Sequence, residues 1–335
     1  MHDRISLRFM RNVGQNPHRA SFDNVLATPE EEVDFQFSGH GSLAWLEFIL
    51  NPRRLRGSDF LMRWSQGQWS EERLLQAINA TGEFHGIAYG PSGVAPSDPR
   101  AFELYFERLE EAGLGDQKRP DLLVFAMQDR AKVVRLVEDV GGAKELPFTK
   151  EEQLEDLLRL AIMGIECENS LWKAKLMPAF NTAMKPQKRL GGKLGFSRTA
   201  VLPTVIVKEE DRAPLRKWQE SHQVPIHVWH AFFDMAYGVA FDRVEKLVEE
   251  GFIEPSKHVF QAPNGVTTEK ILYKIYYTHA YKVSENSEEP SLKAESIIDK
   301  NGHVLPYVCF SGGRMLLDGE ALEIMRKLRA KRLGV

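Results

Sequence analysis

Strand and helix patterns alternate along the middle of the chain, and this alternation constrains the fold more than any other feature. Residues 122–126 form an apolar run that is typical of a strand buried on both faces. A capping box at residues 149–152 and a helix pattern at residues 154–161 lead to a second strand pattern at residues 163–170. Further strand patterns follow at residues 201–207 and 226–233. Such alternation predicts an α/β protein with a central mixed β-sheet flanked by helices.

The rest of the sequence predicts two flanking regions. Residues 1–95 hold helix patterns at residues 42–50 and 71–80, the second after a turn pattern at residues 65–68, and predict a mostly helical N-terminal region. Residues 251–335 hold several strand patterns, with Pro263-Asn264-Gly265 as a hairpin turn, and predict a C-terminal β-rich extension. Residues 96–250 then form the core, although a single elaborated domain also fits this chain length.

Charge, cysteine content and apolar runs exclude several classes of protein. The net charge of −3 argues against nonspecific nucleic-acid affinity, so any nucleic-acid site must be a local basic patch. Two cysteines, Cys167 and Cys309, cannot form a thiolate zinc cluster, and a disulfide framework is not expected. No run approaches the roughly 18 apolar residues of a membrane span, and no apolar signal region follows Met1. We therefore expect a cytoplasmic protein that does not contact membranes.

Two carboxylates, Glu166 and Glu168, stand two residues apart on the strand predicted at residues 163–170. Side chains alternate across a strand, so both point to one face while Ile165 and Cys167 point to the other. Burial of a carboxylate is costly unless a cation or hydrogen-bond donors compensate. The pattern therefore indicates a divalent metal where the two side chains converge, although a solvated strand face is the plainer interpretation of such a pair.

Pro120-Asp121, a long connection and Glu166-Cys167-Glu168 together resemble the metal site of the PD-(D/E)xK nuclease superfamily. The continuation Glu168-Asn169-Ser170-Leu171-Trp172 resembles type II restriction endonucleases in particular. The resemblance covers about residues 98–250 and implies a restriction-endonuclease-like core. It also implies sequence-specific hydrolysis of double-stranded DNA, with Asp121, Glu166 and Glu168 as the catalytic and metal-binding residues and one or two Mg²⁺ ions in each active site.

Glu168 stands where most members of that superfamily carry lysine, a departure that a minority of restriction enzymes share. Its role is open between a general base and a ligand for a second metal ion. Lys173 or Lys175, shortly after the strand, is a candidate replacement for the missing lysine. The resemblance further implies a cognate DNA methyltransferase, and a homodimer would match the two-fold symmetry of a palindromic target.

A basic loop at residues 184–198 is the candidate patch for DNA phosphates, because it carries five basic residues and no acidic one. Its alternative is an ordinary mobile surface loop. The predicted hairpin in the C-terminal extension offers side chains for base contacts in a major groove, with a polar surface hairpin as the alternative. The expected DNA-binding residues are Lys173, Lys185, Lys188, Arg189, Lys193, Arg198, Gln261, Asn264 and Lys270.

Other polar residues leave alternatives open. At most one of Glu103 and Glu107 on the preceding helix is a candidate metal ligand. His227 and His230 would point to opposite faces of a strand, which excludes a shared zinc ion and leaves one as a core residue and the other as a surface or DNA contact. Two rival functions also fit: a DNA-binding protein without hydrolytic activity, and a nuclease of the same fold that acts on junctions or repair intermediates.

Overall fold

The computed structural model describes residues 58–91, 105, 107–114, 118–170, 172–261, 267–298 and 304–334. The helices in these ranges are α1 (Ser58–Asn79), α2 (Arg130–Asp139), α3 (Glu155–Leu160), α4 (Glu209–His222), α5 (Phe241–Glu249) and α6 (Gly319–Leu333), with a further helical segment at residues 107–111. The strands are β1 (Phe84–Ala88), β2 (Leu122–Ala126), β3 (Met163–Asn169), β4 (Lys185–Pro186), β5 (Leu194–Gly195), β6 (Thr204–Lys208), β7 (Ile226–Ala231), β8 (Met235–Ala240), β9 (Pro255–Gln261), β10 (Thr267–Tyr276), β11 (Tyr281–Glu288), β12 (Ser291–Ile298), β13 (Val304–Ser311) and β14 (Arg314–Leu317). Among the described helices, none is both long enough and apolar enough to span a membrane.

A seven-stranded sheet forms the centre of the molecule, in the order β1-β2-β3-β7-β8-β11-β14. β3 and β7 run parallel, and the other neighbouring pairs run antiparallel. The fold prediction of a central mixed sheet flanked by helices is therefore confirmed. Strands from all three predicted regions join this sheet, and the division of the chain at residues 95 and 250 stays a prediction.

The strand β2 shows why its sequence is continuously apolar. Leu123 and Phe125 pack into one core cluster with residues of α2, α3, α4 and α5, whereas Leu122 and Val124 pack into another with residues of α1 and α6. Successive side chains of a strand point to opposite faces. Both faces of the central sheet are therefore covered by helices, as parallel and mixed sheets require.

A smaller sheet, β6-β10-β9, lies beside the central one, and β12-β13 and β4-β5 form separate two-stranded ribbons. β9 and β10 pair antiparallel from Gln261 opposite Thr267 onward. This pairing agrees with the predicted hairpin, whose turn residue Asn264 lies outside the described residues. β6 connects through α4 to β7, so the small sheet is joined directly to the strand that runs parallel to β3.

Helix α1 corrects one prediction. Residues 65–68 were expected to form a turn, but α1 is helical from Ser58 to Asn79. Trp69 and Arg73 are buried on this helix, and the Arg73 guanidinium lies 3.5 Å from the centre of the Trp69 ring. Packing of this kind outweighs the cost of roughly 1 kcal/mol for a helical glycine, here Gly67. The helix expected at residues 42–50 lies outside the described part of the chain.

The expected capping box at residues 149–152 is also wrong. The hydroxyl of Thr149 donates to the carbonyl of Glu145 at 2.8 Å instead of capping a helix. Glu151 accepts a hydrogen bond from Arg119 at 3.1 Å, and α3 begins only at Glu155. Because Arg119 is 1% exposed, its guanidinium depends for partners on Glu151 and on the backbone carbonyls of Leu146 and Thr149, which explains the irregular start of α3.

Candidate active site

Adjacent strands bring the predicted carboxylates together. Leu122 pairs with Ile165 in the antiparallel register of β2 and β3, so the preceding residue, Asp121, lies level with Glu166. Oδ2 of Asp121 accepts a hydrogen bond of 2.6 Å from the backbone N–H of Cys167. Glu168 follows Glu166 on the same face of β3 because strand side chains alternate. The three residues form an acidic centre where β2 begins and β3 ends.

Glu166 is the most buried member of this centre, with 4% of its surface exposed. Its Oε1 atom lies 2.5 Å from Nζ of Lys118, three residues before Asp121. Its other oxygen, Oε2, is buried and has no hydrogen-bond partner among the described residues. A buried carboxylate oxygen without a partner is costly, so this atom is suited to receive a cation.

A second lysine contacts Glu168. Nζ of Lys208, the last residue of β6, lies 2.6 Å from Oε1 of Glu168 and 3.7 Å from Oδ2 of Asp211 on α4. One oxygen each from Glu166, Glu168 and Asp211 lie within 4.8 Å of one another. Asp211 therefore adds a fourth carboxylate, which the sequence interpretation missed.

Helix α1 supplies a fifth carboxylate, Glu71. Burial raises its pKa well above the ordinary value, and the charges of Asp121 and Glu166 raise it further, while Lys118 opposes the shift. Glu71 therefore lies close enough to interact electrostatically with the acidic centre. The sequence signal was available, because Glu71 shares the helical spacing of Leu74, Leu75 and Ile78, which face the sheet.

Burial dominates the electrostatics of the centre. It raises the pKa of Asp121, against the opposing effects of Lys118 and the backbone N–H of Cys167. It raises the pKa of Glu166 well above its usual range, where the charge of Asp121 adds to the effect and Lys118 opposes it. Burial also raises the pKa of Glu168, and Lys208 opposes this shift. Burial and mutual repulsion thus disfavour the ionised forms of these neighbouring carboxylates, and a bound cation would offset both effects.

The lysines at the centre are not the ones that were expected. Lys173 lies 3.8 Å from Glu289 and near the ring of Phe233, and Lys175 pairs with Glu285. Neither contacts Glu168, so the prediction that one of them replaces the motif lysine is wrong. Lys173 and Lys175 lie on the short connection after β3, where other carboxylates bind them. Lys118 lies shortly before β2, and Lys208 is the last residue of β6.

The described part of the helix before Asp121 does not provide the additional carboxylate. Glu107 and Glu110 are exposed, and Glu103 lies outside the described residues. Glu71, which precedes Asp121 by a far longer stretch of chain, interacts with the centre instead. The helix-borne carboxylate is thus on α1, which packs against β1 and β3.

The two histidines of β7 are both buried, which corrects the expectation that one of them is a surface contact. His227 is 5% exposed and forms a hydrogen bond of 2.7 Å through Nδ1 with the hydroxyl of Tyr281. His230 is 1% exposed and stacks on Phe232, with ring centres 4.6 Å apart. His230 pairs with Glu168 in the register of β3 and β7, so it borders the acidic centre.

The basic loop divides into residues with and without internal partners. Lys185 and Lys188 are exposed, and the described structure gives neither an ion-pair partner. Arg189 donates to Glu254 at 2.6 Å and to the carbonyl of Phe196 at 2.7 Å. Two further residues also contact the rest of the protein: Lys193 donates to the carbonyl of Glu250 at 2.5 Å, and Arg198 donates to Glu254 at 3.3 Å. Arg189 in particular fixes the loop rather than extending into solvent.

The remaining predicted DNA contacts lie near the β9–β10 hairpin. Gln261 is the last residue of β9, and Asn264 lies outside the described residues. Nζ of Lys270 on β10 lies 2.5 Å from Oε1 of Glu210 on α4. Contact of these residues with DNA stays a prediction.

The sequence of the chain also matches a known protein family. The model of the AccI restriction endonuclease family matches residues 51–194 and 197–333. No curated protein and no solved structure matches the chain. The matched ranges include all five carboxylates and both lysines of the acidic centre.

Proposed function

Because the chain belongs to the AccI restriction endonuclease family, we propose that it cleaves double-stranded DNA at a specific sequence with a divalent metal held by the acidic centre. The cleavage is the hydrolysis of phosphodiester bonds, as expected of a type II restriction enzyme. The observation that carries this proposal is the gathering of Asp121, Glu166, Glu168 and Asp211 at one end of the central sheet, with Glu166 Oε2 buried and unpartnered.

The donor set fits a hard divalent cation. Glu166, Glu168 and Asp211 each offer one oxygen within 4.8 Å of the others, and Asp121 lies level with Glu166. Mg²⁺ prefers oxygen ligands and is typically held by one or two carboxylates together with water and phosphate oxygens. A bound divalent cation neutralises charge on the attacked phosphate and activates water as a nucleophile. We therefore propose Mg²⁺, with one or two ions at each centre.

Lys118 and Lys208 act on the carboxylates of the acidic centre and not as metal ligands. Burial opposes the charge of Lys118, but Glu166 and Asp121 outweigh this and raise its pKa. Lys208 likewise has a raised pKa, because Glu168 outweighs the effect of burial. Both lysines therefore stay charged at neutral pH. They oppose the rise in the pKa of their carboxylate partners and hold them in position, and Lys208, about one-third exposed, could also contact a substrate phosphate.

Glu168 acts as a metal ligand in this proposal rather than as a free general base. One of its oxygens is held by Lys208 at 2.6 Å, and a Glu168 oxygen belongs to the cluster with Glu166 and Asp211. A general base needs an accessible oxygen within hydrogen-bond reach of the attacking water. The lysine contact limits that access and instead supports the charged form that a metal requires.

We further propose that the enzyme acts as a homodimer on a palindromic target, since two equivalent centres related by a two-fold axis would cut both strands. A cognate DNA methyltransferase that protects the host sequence is proposed from the family alone. Double-stranded DNA is the expected partner, with Lys185 and Lys188 as the loop lysines free to reach phosphates.

The first experiment is to incubate unmethylated plasmid DNA with the protein and Mg²⁺. Discrete fragments would support a restriction enzyme, and sequencing of the fragment ends would give the target and the stagger of the cut. Nicking confined to branched substrates would instead favour a junction or repair nuclease. Absence of cleavage with every divalent metal tested, together with retained DNA binding, would reject hydrolysis.

A pair of variants then tests the centre itself. Glu166→Gln removes the charge but keeps the shape, and we expect it to abolish cleavage while DNA binding in Ca²⁺ stays measurable. Glu110→Gln is the matched control, because Glu110 is exposed and lies away from the described acidic centre. Cleavage by Glu166→Gln at the wild-type rate would show that the catalytic centre is elsewhere.

A further inference from the structure

Lys274, near the end of β10, is a partly buried lysine that no described residue pairs with. Lys270, earlier on the same face of the strand, pairs with Glu210, and Lys208 on the adjacent strand pairs with Glu168. Burial lowers the pKa of Lys274, and no carboxylate among the described residues counteracts that effect. Loss of hydration without a compensating anion is unfavourable for an ammonium group. The side chain is therefore suited to an anion from outside the protein.

The strand register places Lys274 on the same face of the small sheet as Lys208, which contacts the acidic centre. In the antiparallel pairing of β6 and β10, Lys208 lies opposite Leu272, Ile206 opposite Lys274 and Thr204 opposite Tyr276. Directly opposed residues share a face, and residues two apart along a strand do so as well. Lys208, Lys274 and Tyr276 therefore occupy one face of the small sheet. Lys274 is two residues, or about 7 Å, along the strand from the level of Lys208.

This face of the small sheet also contacts the basic loop. The hydroxyl of Tyr276 accepts a hydrogen bond of 3.1 Å from Arg189. A cavity of about 410 Å³ is lined by Lys274 together with Arg189, Arg198 and Lys257, with Glu254 as the acidic member of its lining. Basic side chains thus follow one another from the acidic centre to the loop.

A second cavity connects Lys274 with the strands of the acidic centre. This cavity, of about 290 Å³, is lined by Lys274, by Ser170 just beyond β3 and by His230 of β7. Ala200, Leu202 and Thr204 line both cavities, as Lys274 does. The two cavities therefore meet along a common wall, and together they form a trough that passes Lys274 between the end of β3 and the basic loop.

We propose that this trough holds the backbone of the cleaved DNA strand and that Lys274 binds a phosphate near the one that is cut. The proposal rests on the proposed function above. Cations arranged in a line suit an anion with repeated charges, and each strand of DNA carries one phosphate per nucleotide. The levels of Lys208 and Lys274 are about 7 Å apart, so the two lysines can contact different phosphates of one strand.

Lys274→Met in the full-length protein tests the phosphate contact. DNA binding is measured in Ca²⁺ over a range of salt concentrations, and the slope of log affinity against log salt is expected to fall in magnitude by about 0.9, the value for one phosphate contact. The melting temperature should stay the same or rise, because an unpaired ammonium is removed from a partly buried site. Lys217→Met, at an exposed position on α4, is the control and should change neither quantity.

An unchanged salt slope in Lys274→Met, with an intact fold, would overturn the proposal. A lower slope accompanied by a lower melting temperature would also overturn it, since Lys274 would then serve the fold. Binding in Ca²⁺ does not depend on cleavage, so the two proposals fail separately. Wild-type protein that binds DNA but never cuts it would reject the proposed function. If the wild type does cut DNA, an unchanged salt slope for Lys274→Met would reject only the proposed trough.

The phosphate that Lys274 contacts can be identified by replacing single phosphates of the DNA with uncharged groups. Duplexes that carry the mapped cleavage site are prepared with one methylphosphonate at a time, and each is bound by wild type and by Lys274→Met. At the position that Lys274 contacts, the wild type should lose affinity and the variant should show no further loss. Losses of equal size in both proteins at every position flanking the cut would exclude a contact between Lys274 and the DNA backbone.

Discussion

Nζ of Lys208 lies 2.6 Å from Oε1 of Glu168, so a lysine stands beside the carboxylate for which the sequence resemblance predicts a missing lysine. The cation belongs to the end of β6, whereas the carboxylate belongs to β3. The acidic centre therefore combines an additional carboxylate with a lysine from a separate strand. In the proposed function, such an arrangement would add a metal ligand and keep a positive charge beside the substrate.

Replacement of Lys208 should shift the pH dependence of cleavage. Burial raises the pKa of Glu168 and Lys208 opposes that rise, so Lys208→Met is expected to raise the pKa further. A smaller fraction of Glu168 is then ionised at neutral pH. We expect kcat/KM at pH 7 to fall by at least about tenfold, and the acid limb of the pH profile to move to higher pH.

Lys208→Arg serves as the conservative comparison, because it keeps the positive charge and should preserve the position of the acid limb. Lys217→Met controls for the loss of one exposed positive charge on α4. The role assigned to Lys208 would be contradicted if Lys208→Met lowered activity equally at every pH.

Glu71→Gln should stabilise the metal-free protein and weaken the enzyme. The pKa of Glu71 is raised in the folded state, so its favourable contribution is present below the ordinary value of 4.5 and is lost as pH rises through the folded pKa. The variant avoids that loss. In the presence of a chelator we expect its melting temperature to exceed that of the wild type by about 2–4 °C at pH 8, with the difference vanishing near pH 4.

Added Ca²⁺ should reduce this difference, because a bound cation stabilises the cluster of ionised carboxylates in the wild type. Cleavage by Glu71→Gln in Mg²⁺ should be slower than wild type. Glu110→Gln is the control for loss of an exposed glutamate. A lower melting temperature for Glu71→Gln at pH 8 would show that Glu71 makes stabilising contacts instead of experiencing repulsion.

Local patterns predicted Asp121 and Glu166, and long-range packing decided their neighbours. Asp121 directly precedes one strand pattern and Glu166 lies within another, so both could be placed from the sequence. Lys208 is separated from Glu168 by 40 positions, and nothing in its own surroundings marks it as a partner. Glu71 reaches the centre only because α1 packs across the sheet. Such contacts depend on topology, which a single sequence does not specify.

The strand β8 was missed for a different reason. Its sequence contains Gly238, a residue that weakens a strand pattern. In the structure a Cβ atom at this position would lie 2.7 Å from atoms of Trp229, Tyr281 and Val283. The glycine is therefore required by packing between neighbouring strands of the central sheet, and the strand follows from its neighbours rather than from its own residues.

His230→Phe should make the protein more resistant to acid. Burial, with a further contribution from the charge of Lys208, lowers the pKa of His230 from 6.5 to about 3. A depressed pKa contributes stability that is present above pH 6.5 and is lost as the pH falls toward the folded value. Each such histidine adds about 1.4 kcal/mol per pH unit to this loss. Phenylalanine keeps the stacking on Phe232 and removes the titrating group.

Acid titrations followed by circular dichroism would measure this effect, and His230→Phe should unfold at lower pH than wild type. His227→Phe is an informative contrast. Burial lowers the pKa of His227 to about 4, but this ring also forms a hydrogen bond with Tyr281, so its replacement should destabilise the protein at neutral pH. Equal acid sensitivity of His230→Phe and wild type would contradict a neutral buried imidazole at position 230.

Replacement of Lys188 should weaken DNA binding, whereas replacement of its neighbour Arg189 should lower the stability of the fold. Lys188 is exposed, whereas Arg189 donates to Glu254, to the carbonyl of Phe196 and to the hydroxyl of Tyr276. Lys188→Met should keep the wild-type melting temperature and reduce the salt slope of DNA binding by about 0.9. Arg189→Met leaves partners unsatisfied and should cost roughly 1–3 kcal/mol of folding free energy, measured by denaturant unfolding. A stable Arg189→Met protein, or an unchanged slope for Lys188→Met, would reverse this assignment of structural and DNA-binding roles.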